Sequence, residues 1–323
     1  MIEQLLFSRP ETADRAHNDD LRRRFRSGEL LRLRPGVYCP ADSWAESWPS
    51  DRYVAYAVAV ARGAPATSFA VETAAALWGY PLTKVPGEVV LRARTKGNTG
   101  IASGRLLTSP AQPGLRAPRG FGVRRRHLPQ SELVRIDNLG VCVPSRTATV
   151  VECAAYATFA DAVVVMDAAR TASRAGHVAD DDLLESIARI AGPRRRARAQ
   201  RVFDFSSTRS ASPGESFSRV RIHQLGYQPP RLQEPIRDKQ GRFADVDFYW
   251  DGARVAGEFD GWQKYTRGAV ERGVSEGDIV AAEKVREDRI RRTGRSVARW
   301  LWRDLVEPER LRRILDSAGV PRR

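Results

Sequence analysis

Four acidic residues in the last third of the chain alternate with apolar residues at a spacing that could hold a cation: Asp245, Asp247, Glu258 and Asp260. The two segments that carry them flank Asp251-Gly252, a strong signal for a β-hairpin with a two-residue turn. Because residues two apart in a strand share a face, the pattern predicts all four carboxylates on one face. The opposite face would pack on a core through its apolar residues: Val246, Phe248, Val255 and Phe259.

The predicted turn also sets which residues lie opposite one another in the hairpin. A two-residue turn places Trp250 opposite Ala253 and, further along, Asp245 opposite Glu258. Carboxylates this close repel unless a proton or a cation lies between them. Mg²⁺ prefers oxygen ligands and uses one or two carboxylates, so we expect a hard cation here. The alternative is a solvated face whose acids spread into water.

A helix is predicted immediately before this hairpin. Ser212-Pro213-Gly214-Glu215 is a capping box, which starts a helix that runs from Pro213 to about Leu225. Capping by itself would explain Glu215. An extended segment follows at 232–236.

Two further elements are predicted after the hairpin. The pattern at 279–293 indicates a helix that carries Arg286 and Arg289, which would be available to a DNA backbone. The segment 296–302 reads as a final strand that completes the sheet beside the acidic hairpin.

These motifs, taken in order, resemble the PD-(D/E)XK nuclease superfamily and in particular its Vsr-like branch, over residues 206–306. The matching segments are Ser212-Pro213-Gly214-Glu215-Ser216 with Arg219, Asp247-x-x-Trp250, Glu258-x-Asp260-Gly261, Glu283-Lys284-x-Arg286-Glu287-Asp288-Arg289, and Gly294-x-x-Val297-x-Arg299-Trp300. The resemblance implies a mixed sheet flanked by helices that hydrolyses DNA phosphodiester bonds with Mg²⁺ or Mn²⁺. Asp247 and Glu258 would be metal ligands, and Glu215 an accessory acid.

One position departs from the superfamily pattern. The residue two after Glu258 should be lysine, and here it is Asp260. Lys264 lies four residues further on and could act as a relocated lysine at the scissile phosphate, so the predicted catalytic set is Glu215, Asp247, Glu258, Asp260 and Lys264. The alternatives are that Lys264 is a surface lysine and that catalysis is lost.

The first 50 residues read as a winged helix that binds DNA. The segment 11–26 is helical in pattern and ends in basic residues, among them Arg22, Arg23 and Arg26. Strands at 30–33 and 37–39 then flank an Arg-Pro-Gly turn. Arg32 and Arg34 on this wing would contact phosphates, which supply affinity without sequence information. The alternative is a solvated basic hairpin.

A second resemblance covers roughly residues 1–150. The segments Gly28-x-Leu30-x-Arg32-x-x-x-Gly36-Val37-Tyr38 and Ala74-Ala75-Ala76-Leu77-Trp78-Gly79-Tyr80-Pro81-Leu82 resemble the abortive-infection AbiEi-type antitoxin family. That family implies a winged helix at the N-terminus, autorepression of an operon and neutralisation of a cognate toxin protein.

Composition limits the classes of protein that the chain can belong to. It has 54 basic and 39 acidic residues, a net charge of +15, which favours a polyanionic partner such as DNA. No apolar run approaches the roughly 20 residues of a membrane span, and no export signal is present, so we expect a cytoplasmic protein. The three cysteines and four histidines show no disulfide or zinc spacing.

The sequence therefore predicts a multidomain α/β protein in three parts: a winged helix at 1–50, an α/β middle region at 51–205 and a Vsr-like endonuclease domain at 206–323. In the middle region we expect strands at 85–94 and 122–128, separated by a long loop at 97–120. The expected function is Mg²⁺-dependent DNA hydrolysis in defence or repair. The alternatives are a DNA-binding regulator or antitoxin whose nuclease domain is degenerate, and a protein-interaction scaffold.

Overall fold

The computed structural model describes residues 1–8, 14–63, 67–104, 120–261 and 276–323, with the side chains of 276–280 left out. The chain is a mixed α/β multidomain protein that forms two compact units. The first contains residues 1–158 and 175–201, and the second contains 159–174 and 202–323. Within the described part of the chain, no helix combines the length and the apolar character that crossing a bilayer requires.

The first unit begins with a small antiparallel sheet beside one helix. Its elements are β1 (Leu6–Phe7), α1 (Arg15–Arg26), β2 (Leu30–Arg34) and β3 (Val37–Pro40), and the strand order is β1-β3-β2. The β2–β3 turn needs the glycine at its end, because Gly36 has φ +75° and a Cβ there would lie 2.6 Å from Ser8 Oγ. The predicted helix and hairpin are confirmed as secondary structure.

Three helices follow and contribute to the core of this unit: α2 (Ala41–Glu46), α3 (Pro49–Gly63) and α4 (Val71–Leu77). The alanine- and tyrosine-rich face of α3 is fully buried, with Tyr53 and Tyr56 at 1% and 0% exposure. Tyr53 also donates to the carbonyl oxygen of Glu88 at 2.9 Å, which ties the helix to the next sheet.

That sheet contains β4 (Glu88–Ala93), β5 (Gly100–Ala102) and β6 (Gly122–His127) in the order β4-β6-β5. The predicted strands at 85–94 and 122–128 are confirmed. The predicted loop is interrupted by β5, which pairs antiparallel with β6; a three-residue strand has too few residues to show a period. Residues 105–119 of that loop lie outside the described part of the chain.

The chain continues with a hairpin and four helices, and residues 159–174 among them belong to the second unit. The hairpin strands are β7 (Leu133–Ile136) and β8 (Val141–Pro144), and the helices are α5 (Arg146–Tyr156), α6 (Phe159–Arg170), α7 (Asp180–Ala188) and α8 (Pro193–Phe205). Of these, α6 groups with the second unit.

The second unit is built on one mixed sheet. In chain order its remaining elements are α9 (Pro213–Gln224), β9 (Arg231–Asp238), β10 (Gly241–Trp250), β11 (Val255–Asp260), α10 (Glu276–Arg292), β12 (Ser296–Leu301), α11 (Trp302–Val306) and α12 (Pro308–Ser317). The strand order is β12-β11-β10-β9. Only the β11–β12 pair is parallel among these four strands, and α10 lies in the crossover that a parallel pair requires. The predicted final strand is thus confirmed beside the hairpin.

The predicted hairpin register is wrong by two residues. Trp250 pairs with Val255, not with Ala253, because the turn spans 251–254. Arg254 donates its N–H to the carbonyl oxygen of Asp251 at 3.0 Å and adopts φ +53°, which lengthens the loop beyond two residues. A two-residue shift leaves every side chain on its predicted face, whereas a one-residue shift would have inverted the faces of one of the two strands.

The domain ranges 1–50, 51–205 and 206–323 stay a prediction, whereas the two compact units divide the chain after residues 158, 174 and 201. Residues 159–174 belong with the second unit because α6 packs against α9. Asp167 on α6 is 1% exposed and forms an ion pair with Arg219 on α9 at 2.8 Å. Burial raises the pKa of Asp167, and Arg219 acts in the opposite direction.

Candidate active site

Glu215 is held at the start of α9, where Ser212 caps the helix as predicted; the reciprocal half of the box differs, because the Glu215 carboxylate bonds the Ser212 hydroxyl and the N–H of Ala211. Ser212 accepts the N–H of Glu215 at 3.2 Å and donates its hydroxyl to Oε1 at 2.8 Å. The other oxygen, Oε2, accepts the N–H of Ala211 at 2.8 Å and the side-chain amide of Gln233 at 2.9 Å. Glu215 is only 3% exposed. Its buried carboxylate accepts hydrogen bonds both from the start of the helix and from Gln233 on β9.

Gln233 connects Glu215 to Asp247. In the β9–β10 register Leu232 pairs with Phe248 and Glu234 with Val246, which places Gln233 opposite Asp247. The Gln233 Nε2 donates to Asp247 Oδ1 at 3.3 Å as well as to Glu215. Gln233 adopts φ +50° inside a strand, a left-handed conformation that costs about 1–2 kcal/mol in a residue other than glycine.

The Asp247 carboxylate also accepts a backbone hydrogen bond from the neighbouring strand. Its Oδ2 accepts the backbone N–H of Phe259 on β11 at 2.9 Å. An ionised carboxylate offers about four acceptor positions. Asp247 therefore keeps acceptor capacity on both oxygens after these two hydrogen bonds.

Glu258 faces two arginines. It is adjacent to Arg299 in the parallel β11–β12 register, and Arg299 donates to its Oε2 from Nε at 3.1 Å and from Nη2 at 2.8 Å. Arg286 Nη2 lies 2.8 Å from Oε1 but is aligned on the carbonyl oxygen of Asp245, at 2.7 Å. Oε1 is therefore buried without an aligned hydrogen bond.

Arg299 is the cationic centre of a larger acidic group. Its guanidinium lies 3.6 Å from Asp260 and 3.3 Å from Glu287, and it also bonds Glu283. Burial by itself would lower the pKa of Arg299, but Asp260, Glu258 and Glu283 outweigh it, and the pKa is raised.

Asp260 titrates above its ordinary range. Burial raises its pKa, Arg299 opposes that effect, and the negative charges of Glu258, Glu283 and Asp247 raise it further. These carboxylates are therefore close enough to interact. Asp245 is exposed and pairs instead with Arg242 at 2.6 Å, so it lies apart from the group.

The donor set fits a hard divalent cation. Among the described residues no group of three or more His, Cys, Asp or Glu is arranged around one metal position, but Mg²⁺ needs only one or two protein carboxylates. Asp247 has acceptor positions left, and Glu258 has a buried oxygen without an aligned hydrogen bond. A cation bound there would neutralise the negative charge of Glu258 together with Arg286 and Arg299.

The basic residues predicted to contact DNA occupy different environments. Arg286 is engaged by Glu258 and Glu283, and Arg289 bonds Asp238 at 2.7 Å. In the first unit, Arg22 pairs with Asp19 at 3.3 Å and Arg23 with Asp20, while Arg26 is exposed. Arg32 and Arg34 are half-buried, with Nε atoms that lack a hydrogen-bond partner in the described structure. Lys264 lies outside the described residues.

Sequence reasoning assigned no role to Gln233, Arg299 or Glu283. Gln233 is part of a predicted strand, but its place opposite Asp247 follows only from the β9–β10 register. Arg299 lies in the last recognised motif, and the signal that could have placed it is the parallel pairing of that strand with β11.

Comparison with known proteins gives limited similarity. No protein-family model matches the chain, and no solved structure matches it. Two proteins of Mycobacterium tuberculosis, uncharacterized protein Rv2248 of strain H37Rv and uncharacterized protein MT2308 of strain CDC 1551, are each 28% identical over 148 residues. The match covers 46% of this chain, which spans about half the length of these relatives, 53% in each case.

Proposed function

We propose that the C-terminal unit is a divalent-cation-dependent nuclease that hydrolyses DNA phosphodiester bonds. The observation that carries the proposal is the hydrogen-bonded line of side chains from buried Glu215 through half-buried Gln233 to half-buried Asp247, with buried Glu258 on the next strand. Gln233 joins two carboxylates and holds a left-handed conformation inside a strand. Backbone strain of this kind is retained at functional sites.

The topology of this unit also supports the proposal. Helix α9, the antiparallel strands β9, β10 and β11, helix α10 and the parallel strand β12 follow one another in the order expected of a PD-(D/E)XK core. The predicted acids lie on α9, β10 and β11.

Each residue has a defined part in the proposed chemistry. Asp247 and Glu258 would hold Mg²⁺ or Mn²⁺, which lowers the pKa of a bound water and neutralises charge on the phosphate. Glu215 orients Gln233, and Gln233 orients Asp247. Lys264 is the candidate for stabilising the scissile phosphate.

A plasmid-nicking assay with Mg²⁺ or Mn²⁺ tests the proposal on the full chain. The parent should nick plasmid, and Asp247→Asn should lose activity because one ligand loses its charge. Asp245→Asn is the matched control, since Asp245 is two residues away on the same strand but exposed and paired with Arg242. Equal loss in both variants, or full activity in Asp247→Asn, would remove Asp247 from the site.

A DNA-binding regulator is the second candidate, and Arg299 is the observation that favours it. A guanidinium already compensates Glu258, so the acidic group can be stable without a metal. In that case the parent cleaves neither duplex nor single strands but binds the promoter of its own operon, with a cognate toxin as a further partner.

The winged-helix part of both candidates is tested by Arg32→Ala combined with Arg34→Ala. Phosphate contacts are independent of sequence, so binding should weaken similarly on all duplexes, and the salt slope should fall by about one per lost contact. Fluorescence anisotropy at several salt concentrations measures both quantities. Loss of affinity for one sequence alone contradicts the phosphate role.

A further inference from the structure

The first unit contains a cavity of about 400 Å³ that is lined by cationic and hydroxyl-bearing side chains and lies outside the site described above. Three arginines line it, Arg92, Arg94 and Arg125, together with Ser68, Gln130 and Ser131. Among the residues described as lining the cavity, none is acidic. A concave site of this size falls in the range of small-ligand pockets, about 300–1,000 Å³.

Arg92 forms the rigid wall of the cavity. Its side chain is 4% exposed and is fixed by Glu152 at 2.6 Å and by the carbonyl oxygen of Pro129. Glu152 is held in turn by the N–H of Val71 at 2.9 Å. The Arg92 Nε is nevertheless buried without a partner, and so is the Ser68 Oγ.

A buried donor without a partner costs about 1–3 kcal/mol, so a hydrogen bond to such an atom is favourable. Two of them line the same cavity. They therefore favour an acceptor-rich ligand that reaches the bottom of the cavity.

Arg94 and Arg125 supply the charge. Both are exposed, and neither has an ion-pair partner among the residues described. Glu152, the acid that holds Arg92, is already paired with that arginine. The guanidinium groups thus present an uncompensated positive field, and guanidinium groups match the geometry of phosphate oxygens.

We propose that this cavity binds the phosphate group of a phosphorylated small molecule. Arg94 and Arg125 would contact the phosphate oxygens, and Ser68 and Arg92 Nε would donate from the wall. A phosphate alone is much smaller than the cavity, which leaves room for the organic part of an ester beside Leu91 and Leu133.

Calorimetric titration of the full chain tests this with three probes: inorganic phosphate, adenosine 5′-monophosphate and adenosine. We expect the monophosphate to bind with a dissociation constant below about 1 mM and adenosine to bind much more weakly. Arg94→Ala combined with Arg125→Ala should weaken binding of the monophosphate about tenfold or more, because two charge-assisted contacts are lost. Ser68→Ala should weaken it as well.

The matched control is Arg237→Ala combined with Arg313→Ala, which removes the same charge from two exposed arginines outside this unit. It should leave binding of the monophosphate within about twofold. The proposal is overturned if neither phosphate probe binds, if adenosine binds as well as its monophosphate, or if both double variants lose affinity equally.

A short DNA duplex distinguishes the source of the phosphate. If the duplex displaces the monophosphate and loses affinity only in the Arg94/Arg125 double variant, the bound phosphate is that of a nucleic-acid backbone. If duplex affinity is the same in both double variants, the phosphate belongs to a small molecule. The first result overturns the small-molecule ligand proposed here, and the second supports it.

Discussion

Removal of Arg299 should destabilise the C-terminal unit in a way that divalent cations reverse. Arg299→Met removes one of the two arginines that lie 2.8 Å from Glu258, whose side chain is 7% exposed, and leaves only Arg286; it also removes the arginine beside Asp260. Breaking a buried ion pair by removing one partner costs about 3–5 kcal/mol, whereas exposed pairs contribute about 0–1 kcal/mol. Because the Arg299 side chain is 26% exposed, we expect a loss of about 2–3 kcal/mol.

Calorimetry measures this loss as a lower melting temperature. A loss of this size corresponds to about 5–10 °C in a unit of this length. Mg²⁺ or Mn²⁺ should restore much of it in the variant, because a cation at about 100 times its dissociation constant contributes about 2.7 kcal/mol. The parent should gain less, since its arginine already compensates the same carboxylates.

The pH dependence has a defined sign. The pKa of Asp260 is already raised in the folded protein, and Arg299 is the group that opposes the rise. A carboxyl group with a raised folded-state pKa destabilises the fold above that pKa, and the penalty disappears as pH falls below it. The deficit of Arg299→Met relative to the parent should therefore shrink in acid.

Arg303→Met is the control, because Arg303 is 67% exposed and lies 3.9 Å from its nearest carboxylate. We expect its melting temperature to stay close to that of the parent. The reasoning fails if Arg299→Met melts with the parent, or if cations shift the variant and the parent equally.

Three further outcomes are expected. Gly257→Ala should lower the free energy of unfolding in urea by about 1–3 kcal/mol, since the new Cβ would lie 2.7 Å from an indole carbon of Trp300. Gly252→Ala is the control and should be nearly neutral, because a Cβ there has no neighbour within 4 Å. Equal effects of the two substitutions would contradict the packing. The Tyr227 hydroxyl lowers the pKa of Asp316, so the stability deficit of Tyr227→Phe should be full at pH 7 and shrink as pH falls through that lowered pKa; a deficit independent of pH would exclude this linkage. Lys264→Met should slow cleavage about 10²-fold with metal affinity nearly unchanged, and an unchanged rate would make it a surface lysine.

The sequence was most informative where the signal is local. The Ser212 cap of Glu215 is formed as predicted, and so are the helix after it and the final strand beside the hairpin. These features depend on a few consecutive residues whose backbone groups are satisfied nearby. The assignment of faces in the hairpin survived an incorrect turn for the same reason: side-chain alternation has a period of two, and the register moved by two.

Other features depend on pairings between residues distant in sequence. Gln233 lies opposite Asp247, and Arg299 lies beside Glu258, because separate strands align in one particular register. The turn at 251–254 was lengthened by the left-handed Arg254, which no local preference indicated.

The sequence by itself therefore determined the elements that have a strong local signal and the acids that share a face, since both follow from local periodicity and capping; the short strand β5 had no such signal. Only the tertiary structure decided which charge compensates each acid. In the folded unit Arg286 and Arg289 pair with carboxylates of the same unit, because a carboxylate removed from water requires a nearby cation. Arg94 and Arg125 instead lie beside a cavity that no acidic side chain lines among the residues described. Strand register and helix packing decide which charged side chains come into contact.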